Sequence, residues 1–494
     1  MIHRSVEIDD YVTLFQIRIP YRLQSIRTKQ HCLHDEKMIS ITIRLRQLLL
    51  LGVAMTLSSH AVAQQFKDTY PRIGAYEISG AFRATDPAYR EVVARNDILI
   101  VGMWQGWSRT DDVSGELLSV RDVVVDIRQR AEAMGNPGIK IAKYTAINES
   151  KDERRSSSAE TWDKLHNEVG PGYPVNNDWW ARTGNGEHTS SFRGQWHINI
   201  TEYVQRDSNG DTFPEWKAEK DYRTFFRDIP EFDMWFIDNW FYRPRVEPDW
   251  DGDGRNDDRN DESVRRDFRK GYVNALRRIR ELMPNMIVMG NVDGEVTTND
   301  GMLTEPEYRG QITALYEAAI GLPHAAETWG GWDVMMQQYR TTLGNAQHNI
   351  LLMVAHGEED DFATMRYGLA SCLMDDGYYY YTSMVEHYSS GLWFDEYDVD
   401  LGRAIDPPPY DAWRKGVYMR RFEKGMVLVN PKGNGRQTVS IDPGYQRIDG
   451  TQDRTVNNGQ VADTVTLSER DGLILMRIGA EDIDRPKPPV LRVD

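Results

Sequence analysis

The chain has 494 residues, of which 40% are hydrophobic and 27% charged, an ordinary balance for a globular protein. Asp and Glu outnumber Lys and Arg by 76 to 59, a formal net charge of −17. That sign argues against a nucleic-acid backbone or an anionic membrane surface as partner and favours neutral ligands.

The N-terminal part reads as a targeting segment. From Met38, Arg44 and Arg46 form a basic start, Gln47 to Leu57 an apolar stretch too short to span a bilayer, and Ala61-Val62-Ala63 a small-residue cleavage site. Residues 38–63 are therefore expected to be a signal peptide, with 1–37 an extension upstream of the working start. The mature chain is expected to be secreted or periplasmic. Residues 1–63 hold 8 Lys+Arg against 5 Asp+Glu, so their removal takes the net charge from −17 to −20. No second apolar run approaches the ~18 residues of a membrane helix. Cys32 lies in the excluded segment, so Cys372 stands alone and forms no internal disulfide. It sits in "RYGLASCLMDDG", a helical pattern, and reads as a small buried apolar residue.

Strand-like and helical runs then alternate. The strand candidates are "RIGAYEISG" (72–80), "DILIVGMW" (97–104), "GIKIAKYTAINE" (138–149), "MWFIDNW" (234–240), "NMIVMGNVDGE" (285–295), "HAAETWGG" (324–331), "HNILLMVAHGEE" (348–359) and "YYYYTS" (378–383). Between them lie helical patterns such as "SVRDVVVDIRQRAEAMG" and "ESVRRDFRKGYVNALRRIRELM". "QWHINITEY" (195–203) reads as an extension of the rim. Eight βα units predict an α/β (β/α)8 TIM barrel over 64–405, with an insertion at about 150–195 and an acidic loop at 247–262. An open doubly wound sheet is the alternative, but no Gly-rich phosphate loop follows an early strand. After "DPPPY" the chain turns to short alternating runs broken by Gly, Pro and Asn-Gly. That texture predicts a small antiparallel β domain over 412–480, followed by a Pro-rich tail, 481–494.

In such a barrel the site lies at the C-terminal ends of the strands. Those ends carry Glu77; Trp104 and Trp107; Lys143, Tyr144 and Glu149; Asp238 and Asn239; Asn291, Asp293 and Glu295; Glu327 and Trp329; and His356, Glu358 and Glu359. Paired carboxylates across a cleft are what glycosidic-bond cleavage needs: one protonates the leaving oxygen, the other attacks the anomeric carbon or activates water. A strand-end acid on its own is also an ordinary helix cap or solvated loop residue. Asp238 and Glu327 stand out because each has Trp beside it, and desolvation by an indole suits a general acid. With 14 Trp in the chain, indole walls for sugar faces are plausible, and cores use Trp as well. The candidate pair is Asp238 and Glu327, with Asp293 in reserve. Glu77, Lys143, Asn239, Asn291 and His356 are candidates for holding sugar hydroxyls; Trp104, Trp107, Trp240, Trp329 and Trp332 are candidates for stacking.

"DWDGDGRNDDRN" places Asp249, Asp251, Asp253, the carbonyl of Arg255 and Asp257 at positions 1, 3, 5, 7 and 9 of an EF-hand-type loop, with Asn260 where a bidentate Glu belongs. This predicts a structural Ca2+; the alternative is a solvated acidic turn. "DSNGDTFPE" (207–215) is a weaker copy without the Gly. His356 has no partner at zinc-motif spacing, and no nucleophile elbow is present.

"FIDNW", "ETWGGW", "MRYGLASCLMDDGYYYYT" and "RRFEKGMVLVNP" together resemble bacterial proteins grouped as hypothetical glycoside hydrolases, TIM barrels with a short β domain. The layout is similar to the endo-α-1,4-polygalactosaminidase group, and the resemblance spans about residues 70–435. It implies an enzyme cleaving a poly- or oligosaccharide, with Asp238 and Glu327 as its carboxylates. The acidic loop does not match that pattern. Two other classes remain open at this point: a non-catalytic carbohydrate-binding or surface-assembly protein on a degenerate barrel, and a metal-dependent hydrolase.

Overall fold

A computed structural model of the chain describes residues 66–169, 178–191, 194–292, 303, 305–385 and 388–479. The predicted segment 1–63 and the tail 481–494 lie outside them.

Short apolar runs form eight parallel strands: β1 (Gly74–Glu77), β2 (Ile98–Val101), β3 (Lys140–Ala146), β4 (Met234–Asp238), β5 (Ile287–Asn291), β6 (Thr313–Ile320), β7 (Leu351–Gly357) and β8 (Tyr378–Ser383). They pair in chain order. The sheet closes where Ile73 bridges Tyr379 and the Tyr379 N–H donates to Arg72 O at 2.9 Å. Nearly every strand position is buried, as expected when helices cover one face and side chains fill the other. The inner face carries Tyr76, Tyr144 and Phe236, whose rings meet at 5.2–6.5 Å.

The outer layer includes α1 (Pro87–Val93), α2 (Val120–Ala133), α3 (Phe213–Asp221), α4 (Glu262–Leu282), α5 (Ala326–Asn345) and α6 (Phe362–Cys372). Their starts obey simple chemistry. Ser119 and Asp122 close a capping box on α2, Asp261 accepts from Ser263 N ahead of α4, and Asp361 accepts from Thr364 N ahead of α6. Cys372 ends α6 fully buried, and burial pushes its thiol up to about 12, as suits a packing residue rather than a nucleophile.

The sixth strand departs from the sequence expectation. "HAAETWGG" is not a strand: it opens α5, which breaks at Gly331 (φ 80°). The strand is the preceding "TALYEAAI", rich in the helix formers Ala, Leu and Glu. Burial on both faces of the barrel overrides that propensity. β6 also carries a bulge: Tyr316 pairs with Met353 but Ile320 with Ala355, so the strand gains two residues over β7. "QWHINITEY" contributes only Trp196–His197, paired with Glu149–Ser150 beside the mouth.

The C-terminal strands β9 (Tyr418–Phe422), β10 (Gly425–Asn430), β12 (Tyr445–Arg447) and β14 (Asp471–Arg477) make one antiparallel sheet, and β11 (Gln437–Ser440) pairs with β13 (Thr464–Leu467). The sheet packs on α6 so closely that a Cβ at Gly472 would meet Arg366 O at 2.3 Å. Arg366 then reaches across to Asp453 at 2.8 Å and Glu396 at 3.5 Å, both in the C-terminal part of the chain.

Candidate active site

Three strand ends converge. Asp238 closes β4, and its Oδ2 accepts from Tyr144 OH of β3 at 2.7 Å. Its Oδ1 accepts the Asn239 N–H at 2.8 Å and Asn291 Nδ2 of β5 at 2.9 Å. Asn291 Nδ2 also donates to Glu317 Oε2 of β6 at 2.8 Å. Two carboxylates therefore share one amide nitrogen, and their nearest oxygens lie no more than about 6 Å apart, inside the range over which glycosidase carboxyls work together. Tyr388 OH donates to Glu317 Oε1 and meets His356 Nε2 of β7 at 3.3 Å, while its ring packs on Tyr76 at 4.7 Å.

Local backbone makes this convergence possible. Asn239 sits at φ 55°, a left-handed conformation that Asn tolerates, and so turns the chain immediately after Asp238. Gly321, at φ 91°, follows β6 where any Cβ would meet His356 O at 1.9 Å. The β6 bulge begins directly after Tyr316, at Glu317 itself. Glu317 is not among the sequence candidates because the sequence pattern puts the sixth strand at 324–331, beyond it. The signal was present: one acid inside an apolar octet, the same signature that marks Asp238 in "MWFID".

Of the sequence candidates, Asp238, Asn239, Asn291 and His356 meet in this cluster. Asp293 lies outside the described residues. Glu327 does not join: it is buried in the first turn of α5, where its Oε1 accepts from Arg470 Nε at 3.2 Å, in the seam with the C-terminal strands. The misplaced strand is the reason. Glu77 is buried against Tyr89 OH (2.6 Å), Tyr380 OH (2.8 Å) and Gly391 N (3.3 Å), and burial raises its carboxyl. Its oxygens hold the segment after β8 to the barrel rather than facing a ligand.

Lys143 follows the strand alternation to the side opposite Tyr144. Its ammonium lies 4.2 Å from the Phe225 ring and near Asp221, and burial pushes it down to about 7. It is a buried outer-layer residue, not a ligand for hydroxyls. Three of the stacking candidates are core. Trp107 donates to Ala81 O at 3.1 Å, Trp240 stacks on Tyr272 at 5.1 Å, and Trp332 donates to Ser371 Oγ at 2.9 Å beside Tyr418. Apolar packing on both sides consumed their faces, the ordinary fate of large indoles. Trp329 is 66% exposed but lies on α5. Trp104 remains: half-buried beside Phe82, it lines a cavity of ≈ 320 Å³ with Gly106, Arg223 and Phe225.

The acidic loop brings Asp249, Asp251 and Asp257 together, with one oxygen from each within 4.8 Å of the others. Asp249 accepts from the N–H groups of Gly252, Asp253 and Gly254 at 2.8–3.0 Å, and Asp253 from Arg255 N at 2.9 Å. Burial, with the like charges of Asp251, Asp249 and Asp253, raises Asp257. The weaker copy is different: Asp207 meets Lys164 at 2.8 Å and Asp211 meets Arg278 at 2.7 Å, so protein cations already answer both acids.

A barrel with carboxylates gathered at the C-terminal end of β4 and in the C-terminal half of β6 defines a glycosidase-like protein. The model of the hypothetical glycosyl hydrolase family 15 matches residues 94–426, and the chain belongs to that family. The family's class is glycosidic-bond hydrolysis, which implies a carbohydrate substrate. Comparison with curated proteins finds no match. Among solved structures it is similar to Eubacterium rectale Amy13B (9% identity, TM-score 0.44, covering 84% of this chain and 99% of that one). It is also similar to the glycoside hydrolase domain of PelA from Pseudomonas aeruginosa (9%, 0.34, 60% and 91%). A third is a variant of the GH36 alpha-galactosidase AgaA from Geobacillus stearothermophilus (11%, 0.38, 83% and 56%). No helix among the described residues is long and apolar enough to cross a membrane.

Proposed function

We propose that the protein is a secreted glycoside hydrolase that cleaves O-glycosidic bonds of a poly- or oligosaccharide, with Asp238 and Glu317 as its two carboxylates. The observation that carries this is the Asn291 amide shared between them. Asp238 receives three hydrogen bonds from fixed donors, which aim it as the group that bonds to the anomeric carbon. Glu317 gives a proton to the leaving oxygen, then takes one from the water that releases the glycosyl group. Tyr388, braced by Tyr76 and His356, holds Glu317 in place.

Secretion rests on the signal-peptide pattern at Met38–Ala63. The acidic loop is proposed to hold a structural Ca2+ through Asp249, Asp251 and Asp257, with Asp253 and the Arg255 carbonyl as further ligands. The loop docks on the insertion through Asp249 N–Arg182 O and Gly184 N–Asn256 Oδ1, both 2.8 Å, so an ion there orders both segments.

The test is release of reducing ends from a panel of polysaccharides by wild type, Asp238→Asn and Glu317→Gln. Loss of turnover in both variants with retained polysaccharide binding supports the reading. Full turnover in either variant overturns the pair, and binding without turnover by the wild type favours a non-catalytic protein.

A further inference from the structure

Glu149 has no part in the two-carboxylate scheme, yet it adjoins it. It follows β3 and pairs with His197 across the short ladder of the insertion. Its Oε1 accepts from Asn239 Nδ2 at 3.2 Å, while its Oε2 is buried and has no hydrogen-bond partner. Asn239 is the residue whose N–H donates to Asp238 Oδ1. Its carbonyl accepts from Tyr272 OH at 2.6 Å and Asn148 Nδ2 at 3.4 Å. The N–H, the carbonyl and the side-chain nitrogen of this left-handed residue are thus committed, and Glu149 holds its side-chain end. A half-satisfied carboxyl in a buried place costs stability, so packing alone does not account for it.

We propose that Glu149 is a positioning residue for Asp238: it holds Asn239 in the turn that presents a backbone N–H to Asp238, and its charge state tunes that carboxylate. The proposal rests on the reading of Asp238 and Glu317 as the catalytic pair. Burial, then the charge of Asp238, push Glu149 up to about 7, with Arg245 and the Asn239 amide pulling the other way. The other titratable groups facing it are His197, Tyr144 and Tyr272. Burial holds His197 down to about 4 and raises both tyrosines well above their ordinary value. Compared with His197 and the two tyrosines, Glu149 is therefore the group that changes charge near neutrality, beside Asp238 and Arg245.

The test compares Glu149→Gln, which keeps an acceptor for Asn239 but no charge, with Glu149→Leu, which keeps neither. Turnover is measured from about pH 5 to pH 9 alongside Asp238→Asn and Glu317→Gln. Glu149→Gln is expected to follow wild type below about pH 6 and to diverge from it above pH 7. Glu149→Leu is expected to lose about tenfold or more in kcat at every pH with little change in KM. A readout that needs no substrate is the carboxyl resonance of 13C-labelled glutamate, taken as the wild type minus Glu149→Gln difference; it should titrate near neutrality. A resonance titrating below about pH 5, or wild-type profiles for both Glu149 variants while Asp238→Asn is inactive, overturns the inference. Active Asp238→Asn and Glu317→Gln would instead overturn the catalytic pair beneath it.

Discussion

Asp238 and Glu317 are joined by one atom: Asn291 Nδ2 donates to both, at 2.9 and 2.8 Å. This sets an upper bound of about 6 Å between the nearest oxygens, closer to the 5–5.5 Å of retaining glycosidases than to the 6.5–9.5 Å that leaves room for an inverting water. The expected outcome is retention of anomeric configuration. Proton NMR of the first-formed product reads it directly; a product of inverted configuration would mean that water attacks from the far face.

Asn291→Ala removes a hydrogen bond from each carboxylate at once. Two charge-assisted bonds of about 1.5 kcal/mol each correspond to roughly a 100-fold loss in kcat. KM should change little, because the amide acts on the reacting groups rather than on the bulk of the sugar. Steady-state kinetics separates the two, and a loss confined to KM would make Asn291 a substrate ligand instead.

What was legible in the sequence follows a physical line. Seven of the eight barrel strands showed as apolar, β-branched or aromatic runs bounded by Gly, Asn or Asp. Asp238 was visible because an acid interrupts such a run at its end. "TALYEAAI" hid because its residues favour helix in isolation, and only two-sided burial makes it a strand. Glu317 was hidden with it, and the adjacent "ETWGGW" supplied a decoy. The indoles misled for a related reason. Period and neighbours do not say which way a Trp points, and Trp240 and Trp332 proved to be the floor of the packing.

Glu327 therefore has a structural role to test. It is buried and paired with Arg470, which also donates to Thr364 Oγ at 2.9 Å, tying α5 and α6 to the turn before β14. Glu327→Ala leaves Arg470 facing a buried gap, but Arg470 is 30% exposed, which places the cost near the low end for a broken buried pair, about 2 kcal/mol. Thermal unfolding should shift down by a few degrees while kcat at 25 °C stays within about twofold. A collapse of kcat in a folded Glu327→Ala protein would return it to the catalytic machinery.

Lys143 makes a prediction in pH. Folded, it holds its proton less tightly than an ordinary lysine, near 7 instead of 10.5, because burial penalises the ammonium. Unfolding then takes up a proton between those values, so this group's contribution to stability rises with pH through that window. Lys143→Met removes the buried charge and should stabilise the fold by about 2–4 kcal/mol at pH 6, with the gain vanishing towards pH 10. Denaturant midpoints at the two pH values check it; a gain that is equal at both would place the effect in packing rather than charge.

The acidic loop gives the last prediction. Asp249, Asp251 and Asp257 crowd one point, and their mutual repulsion is what raises Asp257 beyond the effect of burial. A bound Ca2+ would turn that repulsion into attraction and fix the contacts that Asp249 and Asn256 make to the insertion. Saturating Ca2+ at 100 times its Kd should stabilise the fold by about 2.7 kcal/mol, and chelator should reverse it. Because these contacts join the loop to the insertion that leads into His197, which lies opposite Glu149, chelation should also slow turnover without unfolding the barrel. Asp257→Asn should abolish the calcium response and, by relieving like-charge repulsion, leave the chelated protein no less stable than wild type. Thermal melts with and without Ca2+ decide it: identical melts for wild type in both conditions would make the loop a solvated acidic turn.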